Sequence, residues 1–324
     1  KVVEYGKLVI GFPIDEGVLY IQKVAPEGIM SPAYSTWDVD TTRINPDFLE
    51  LCLHSPQSMQ YYKDKLRSTT ARRRSIPTAD LLALRIRTPD MESQLEAVAV
   101  ARKVDEMIAI RHAQATLLDQ LVKSRFIELF GAITETVPLS YYIEALNAGK
   151  SLAGEEECPN KVLKTGATTY DYFDATQVKN LPDDYEPLED HRIKTGDVII
   201  SRMNTAELVG AAAYVWEAPE RTYLPDRLWK AEIKETACPI FIWQVLIQSS
   251  TKERIRQIAS GTSGSMKNIS KPGLLGIRVK KVDLAAQEQF AAFVAQTDKS
   301  KLAVQQGLKE LEILKKSLMQ QYFG

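Results

Sequence analysis

Apolar residues recur three and four positions apart over two long stretches of the sequence. The first carries Ala101, Val104, Ile108, Arg111, Ala115, Leu118, Val122, Arg125 and Leu129 at that spacing; the second carries Val294, Thr297, Lys301, Val304, Leu308, Leu311, Lys315, Leu318 and Tyr322. This period predicts one helix from Glu92 to Phe130 and another from Ala286 to Phe323, with Gly307 as interior breaker. At about 1.5 Å per residue, each would be roughly 55 to 60 Å long. Helices this long usually need a partner along their length, and a basic residue in one stripe falls opposite an apolar residue in the other, so the two are expected to pair. The alternative is that each packs only on its own domain. Ahead of the helices lie short β-rich runs, "GDVIISR", "AAAYVW" and "PIFIWQVLIQ", broken by Pro and Gly turns, while "LLALRIRTP" and "LLGIRVKKV" read as strands leading into the helices.

The two patterned stretches are copies of one another. Sliding the sequence on itself by 193 positions aligns Thr69 with Thr262, Ile76 with Ile269, Gln94 with Gln287, Leu118 with Leu311 and Lys123-Ser124 with Lys316-Ser317, without a gap. Upstream the match survives a small length change: "GKLVI" from Gly6 resembles "GDVII" from Gly196. The sequence therefore divides into a first domain (1–89), a helix (90–131), a second domain (132–283) and a second helix (284–324). The expected fold is mixed α/β, with two globular domains separated by two long helices that form an antiparallel coiled coil, all related by a pseudo-twofold internal repeat. Residues 132 to 190 have no counterpart ahead of Lys1, so the first copy reads as N-terminally truncated. Either the start of that domain is missing from this sequence, the preferred reading, or another chain supplies it.

At 324 residues with 44% apolar and 26% charged positions, the chain can bury a sizeable core and reads as globular. It has no apolar run long enough to span a bilayer and no signal-peptide pattern, so a cytoplasmic protein without membrane association is expected. Cys52, Cys158 and Cys238 are too far apart for a disulfide framework or a CxxC zinc site and read as small hydrophobes.

The formal net charge of −1 argues against a nucleic-acid partner, but its distribution argues for one. From Met59 to Thr88, eight basic residues stand against two acidic ones, and the repeat-equivalent window from Lys252 to Lys281 holds eight against one. The unmatched segment from Ala132 to Asp190 offsets this with twelve acidic residues against four basic. Clustered cations suit a phosphate backbone, where neutralisation releases counterions. Within the windows, "STTARRRSI" and "SGTSGSMKNI" are small-residue loops carrying hydroxyls, Arg, Lys and Asn, the side chains that read base edges. The candidate DNA-binding residues are therefore Arg67, Arg72, Arg73, Arg74 and Ser75 in the first window and Ser265, Lys267 and Asn268 in the second. "SRMNT" adds Arg202 and Asn204, against the alternative of an ordinary surface turn.

Catalytic signatures fail on inspection. "AGKS", ending at Ser151, has Glu144 where a phosphate-binding loop needs Gly. His54, His112 and His191 stand alone, without metal-ligand spacing, and read as structural. "PDMESQ" lacks the downstream acid-x-Lys of metal-dependent nucleases, and no Gly-rich turn or Asn-Pro-Pro-aromatic sequence suggests a methyl-donor site. No catalytic or metal-binding residue is assigned.

In order and in two copies, "SPAY" at Ser31, "RRRSIPTADLLALRIRTPDMESQ", "LLDQLVKSRFIELFG", "TGDVIISR", "GSMKNISKPGLLGIRVKKVDLAAQEQ" and "LKELEILKKSLMQQYFG" resemble the specificity (S) subunit of type I restriction-modification systems over nearly the whole chain. The resemblance implies two target recognition domains, each reading half of a bipartite double-stranded DNA site, with helix length acting as a ruler for the unread spacer. It implies a bacterial or archaeal protein with no catalysis or cofactor of its own. It also implies two methyltransferase (M) subunits using S-adenosylmethionine and two ATP- and Mg-dependent restriction (R) subunits as partners. Two alternatives stand beside it: a coiled-coil adaptor that binds only protein, and a nuclease or methyltransferase of unrecognised type.

Overall fold

A computed structural model gives the structure of residues 1–66, 74–261 and 266–323. In chain order it opens with strands β1 (Val2–Glu4), β2 (Leu8–Ile10), β3 (Leu19–Ile21), β4 (Glu27–Ile29) and β5 (Ser35–Trp37). Helices α1 (Pro46–Leu53), α2 (Pro56–Lys65), α3 (Thr78–Leu82) and α4 (Met91–Phe130) follow. Next come β6 (Thr136–Pro138), β7 (Ile143–Ala148), β8 (Lys161–Leu163), β9 (Val178–Asn180), β10 (Val198–Ser201), β11 (Met203–Asn204), β12 (Ala212–Tyr214), β13 (Thr222–Tyr223) and β14 (Leu228–Ile233). The chain closes with α5 (Pro239–Ile247), α6 (Ser249–Ile258), β15 (Lys267–Asn268), α7 (Lys271–Leu275), β16 (Arg278–Lys280) and α8 (Leu284–Phe323).

The helices keep the repeat register. α3 and α7 match residue for residue at 193 positions, as do α4 and α8, and the starts of α1 and α5 extend the register back to Pro46. Local chemistry sets these starts. Asn45 Oδ1 accepts from the backbone N–H groups of Asp47 and Phe48 at 3.0 and 3.1 Å, and Pro46 takes the first helical position, where its missing N–H costs nothing. Ser55 and Ser270 cap α2 and α7 in the same way.

Two expected strands are corrected. "PIFIWQVLIQ" is helix α5: Pro239 nucleates it, and Phe241 through Leu246 are all buried, so its apolar run has no period to separate strand from helix. "LLALRIRTP" begins as α3 and is not a strand at residues 83–90, whereas its copy continues from α7 into β16. The difference is a partner. β16 pairs antiparallel with β6, from the segment the first copy lacks.

The chain forms two units, Lys1–Leu117 with Lys301–Gly324, and Leu118–Ser300. In the second, an antiparallel sheet of order β12-β10-β14-β7 carries a core of Val198, Ile200, Trp229 and Leu146 beneath α5. In the first, the equivalent sheet has order β3-β2-β5. The place of β7 is not filled among the described residues, as the unshared 132–190 segment requires.

The long helices run antiparallel within each unit. In the first unit, Met319 and Phe323 from the end of α8 pack on Ala97 and Val98 near the start of α4, together with Phe48 and Cys52, and Lys315 pairs with Asp105 at 2.7 Å. In the second, Phe126 and Phe130 from the end of α4 pack on Phe290 and Val294 near the start of α8, together with Phe241. Phe48 and Phe241 are repeat equivalents, as are Phe130 and Phe323. Each copy's helix tail thus closes the core of the other copy's domain, which is why "FIELFG" and "MQQYFG" share an aromatic ending. Buried Gln94 and Gln287 mark the equivalent helix starts: Gln94 accepts from Asn45 N (2.8 Å) and donates to Pro89 O (2.8 Å), and Gln287 accepts from Cys238 N (2.9 Å) and donates to Val282 O (2.8 Å). Gly307 lies beside Arg111, whose Nε is 3.6 Å from where a Cβ would sit.

Candidate nucleic-acid interface

Strand β10 is buried throughout and ends at Ser201, beyond which the chain turns into a second pairing. Arg202 N–H donates to Arg227 O at 3.1 Å and Arg202 O accepts from Ile269 N at 3.0 Å, fixing the backbone on both sides. β11 then pairs antiparallel with β15, Met203 opposite Asn268 and Asn204 opposite Lys267. Ser260 and Asn268 exchange backbone hydrogen bonds at 2.9 and 2.8 Å, adding a third stretch. "SRMNT" and "MKNI", more than sixty residues apart in sequence, therefore form one ribbon.

The Arg202 guanidinium lies over the Trp229 ring at 5.5 Å and has no ion pair or hydrogen bond among the described residues. Among the described residues six buried side-chain atoms lack a hydrogen-bond partner, and four belong to the ribbon and the strands that lead into it: Ser201 Oγ, Arg202 Nε, Trp229 Nε1 and Asn268 Oδ1. An unmet buried polar group costs about 1–3 kcal/mol, so water or a ligand offering both donors and acceptors would be stabilised at these atoms. Nucleobase edges offer both, and a two-stranded ribbon fits the major groove. Trp229 was not foreseen: nothing in "DRLWKAE" signals that its ring supports an arginine 27 positions earlier in the sequence.

The other sequence candidates are placed less openly. Lys267 Nζ donates to Gly261 O at 2.8 Å, and Asn204 Oδ1 accepts from Thr205 N at 2.9 Å. Arg74, the repeat equivalent of Lys267, pairs with Asp15 at 3.1 Å and with Glu16, and its carbonyl accepts from Ile14 N. Ser75 is exposed. Arg67, Arg72, Arg73 and Ser265 lie outside the described residues. In the first unit, Phe12 and Ile14 stand where the second has Arg202 and Asn204, so the two copies carry different chemistry at these positions.

Much of the second basic window is engaged internally. Lys252 pairs with Asp171, Arg254 donates to Arg278 O, Arg278 Nε donates to Thr136 Oγ1 at 3.0 Å, and Lys280 donates to Gly131 O at 2.8 Å. Lys281 pairs with Glu135 at 2.7 Å, a hydrogen bond that raises the lysine's pKa. Part of the opposing acidic segment is thus consumed by neutralising these cations. Of the histidines, His54 is held by Glu50 O and Gly17 O, a structural role. Cys52 and Cys158 are buried and Cys238 is half-buried, all three as free thiols. Among the described residues no group of three or more His, Cys, Asp or Glu is placed to hold a metal, and no helix is long and apolar enough to cross a membrane.

No family model and no curated relative matches the sequence. The fold does match solved structures. One is a chain of a type I R-M system solved in work on its complex assembly and conformational transition, with 15% identity and a TM-score of 0.60 over 100% of this chain and 83% of that one. Another is the S subunit of the type I restriction-modification system of M. genitalium, with 14% identity and a TM-score of 0.60 over 100% of this chain and 84% of that one. The chain has the fold of type I specificity subunits along its whole length.

Proposed function

We propose that this chain is the DNA-reading specificity subunit of a type I restriction-modification assembly. The carrying observation is the β11–β15 ribbon, beside which the half-buried Arg202, with no ion pair or hydrogen bond among the described residues, lies over the Trp229 ring. On this reading Arg202, Asn204, Lys267 and Asn268 are the ribbon residues that contact a double-stranded half-site. The different residues of the first unit at the equivalent positions suit a different half-site, so the whole target is bipartite.

The chain itself makes and breaks no bond. Two methyltransferase subunits supply S-adenosylmethionine chemistry, and two restriction subunits use ATP and Mg, inside a bacterial or archaeal cell. Within the first unit, the exposed Met107, Ile110 and Leu117 on α4 offer a partner protein an apolar helix face.

The test is Arg202→Ala in the full chain purified with its methyltransferase partners. A well-placed bidentate arginine contact contributes about 1–3 kcal/mol of base discrimination, so selectivity at one position should fall by about one to two orders of magnitude. Arg202→Lys should not restore it, because lysine has neither the planar fork nor the same stacking on tryptophan. Unchanged selectivity in both variants would remove Arg202 from the interface. Absence of DNA binding by the wild type with every partner present would favour a protein-only adaptor.

A further inference from the structure

Asp171 is a non-glycine residue with φ of 63°, a backbone conformation that L-residues rarely adopt. It is held there from several sides. Its N–H donates to Thr168 O (3.1 Å), its carbonyl accepts from the buried Trp243 Nε1 (3.0 Å), and its carboxylate accepts from Ala212 N (3.3 Å) and pairs with Lys252. This fixed point sits between two tyrosines that are not buried: Tyr170 is 74% exposed and Tyr172 50%. Their rings are near-parallel, 17° apart with centroids at 6.1 Å, and neither hydroxyl is hydrogen-bonded among the described residues. Two large flat faces are thus presented to solvent on a backbone pinned to the second unit's core.

Their location connects them to the ribbon. Ala212, which binds the Asp171 carboxylate, is the register partner of Ile200, and Ser201 and Arg202 follow directly. The tyrosines therefore lie at the same end of the sheet as Ser201 and Arg202. An apolar peptide would cover the rings but give Arg202 Nε nothing. A nucleobase brings both a flat face and a polar edge.

We propose that Tyr170 and Tyr172 form a stacking platform for a nucleobase of the half-site read by the second unit, at a step where the base pair is unstacked. This rests on the DNA-reading function proposed above.

The experiment uses the full chain, purified with its methyltransferase partners, on duplexes carrying its selected site with 2-aminopurine placed at each position in turn. The expected result is changed 2-aminopurine emission at one position of that half-site with the wild type. Tyr170→Ala and Tyr172→Ala should abolish the change and weaken binding about 5- to 150-fold. Tyr170→Phe and Tyr172→Phe should keep both, since the ring and not the hydroxyl does the stacking, and all four exposed substitutions should leave the unfolding transition unmoved. Selective wild-type binding with both alanine variants binding equally well overturns the platform and leaves the DNA-reading function standing. No sequence preference in the wild type overturns both.

Discussion

Phe130 belongs by sequence to the first repeat and by packing to the second unit, so Phe130→Ala separates the two ways of assigning the helix tail. The side chain is 2% exposed and meets Phe126, Phe241 and Phe290 with ring centroids at 5.1, 5.4 and 5.5 Å, all at steep angles. Truncating a phenylalanine in such a setting costs about 3–5 kcal/mol, combining lost transfer free energy with the cavity left behind. The three edge-to-face pairs place Phe130 toward the upper end of that range. Phe323, its repeat equivalent, is 5% exposed and meets Phe48 at 5.1 Å and Tyr322 at 6.2 Å, so Phe323→Ala should fall toward the lower end. Native-state hydrogen exchange read by mass spectrometry reports opening free energies segment by segment. Phe130→Ala should lower protection of β10 and β14 while sparing β2 and β3, and Phe323→Ala should do the reverse. Loss of protection in the first unit on Phe130→Ala, or a loss in the second below about 1 kcal/mol, would refute the exchange of helix tails between domains.

Two further outcomes follow from the packing. Gly307→Ala should stabilise the protein by about 0.5–1 kcal/mol, because a helix-interior glycine is unfavourable and the added Cβ meets nothing closer than 3.6 Å; a lowered denaturant midpoint would contradict this. Burial raises the pKa of Asp197 above the ordinary aspartate value, against a hydrogen bond from Lys194 N at 2.7 Å and the Lys230 ammonium 3.9 Å away. Between the ordinary and the raised value the native state keeps a proton that the unfolded chain has lost, so this group makes stability fall as pH rises through that window. Asp197→Asn should remove that slope and gain on the wild type from acid toward neutral pH, and parallel stability profiles would count against it.

The sequence exposed the long helices well, because forty residues of sustained period leave little ambiguity: the expected starts at Glu92 and Ala286 fall within two residues of Met91 and Leu284. It misread α5, where burial on every side erases the period, and residues 83–90, whose β-like composition meets no partner strand. At the ribbon, sequence supplied Arg202, Asn204, Lys267 and Asn268 separately, but two-residue strands so far apart carry no pattern that joins them. Charge counting marked the Lys252–Lys281 window without revealing that Lys252, Arg254, Arg278, Lys280 and Lys281 are engaged inside the unit. Trp229 and the Tyr170–Tyr172 pair gave no signal, since their roles depend on which surface the fold leaves them on.

The central claim is that the two units read two different half-sites of one DNA duplex. Selection from a random duplex library by the full chain with its methyltransferase partners tests it directly. The account predicts one enriched bipartite motif, two fixed half-sites separated by a constant number of unread positions. A single uninterrupted motif, or no enrichment at all, would contradict it.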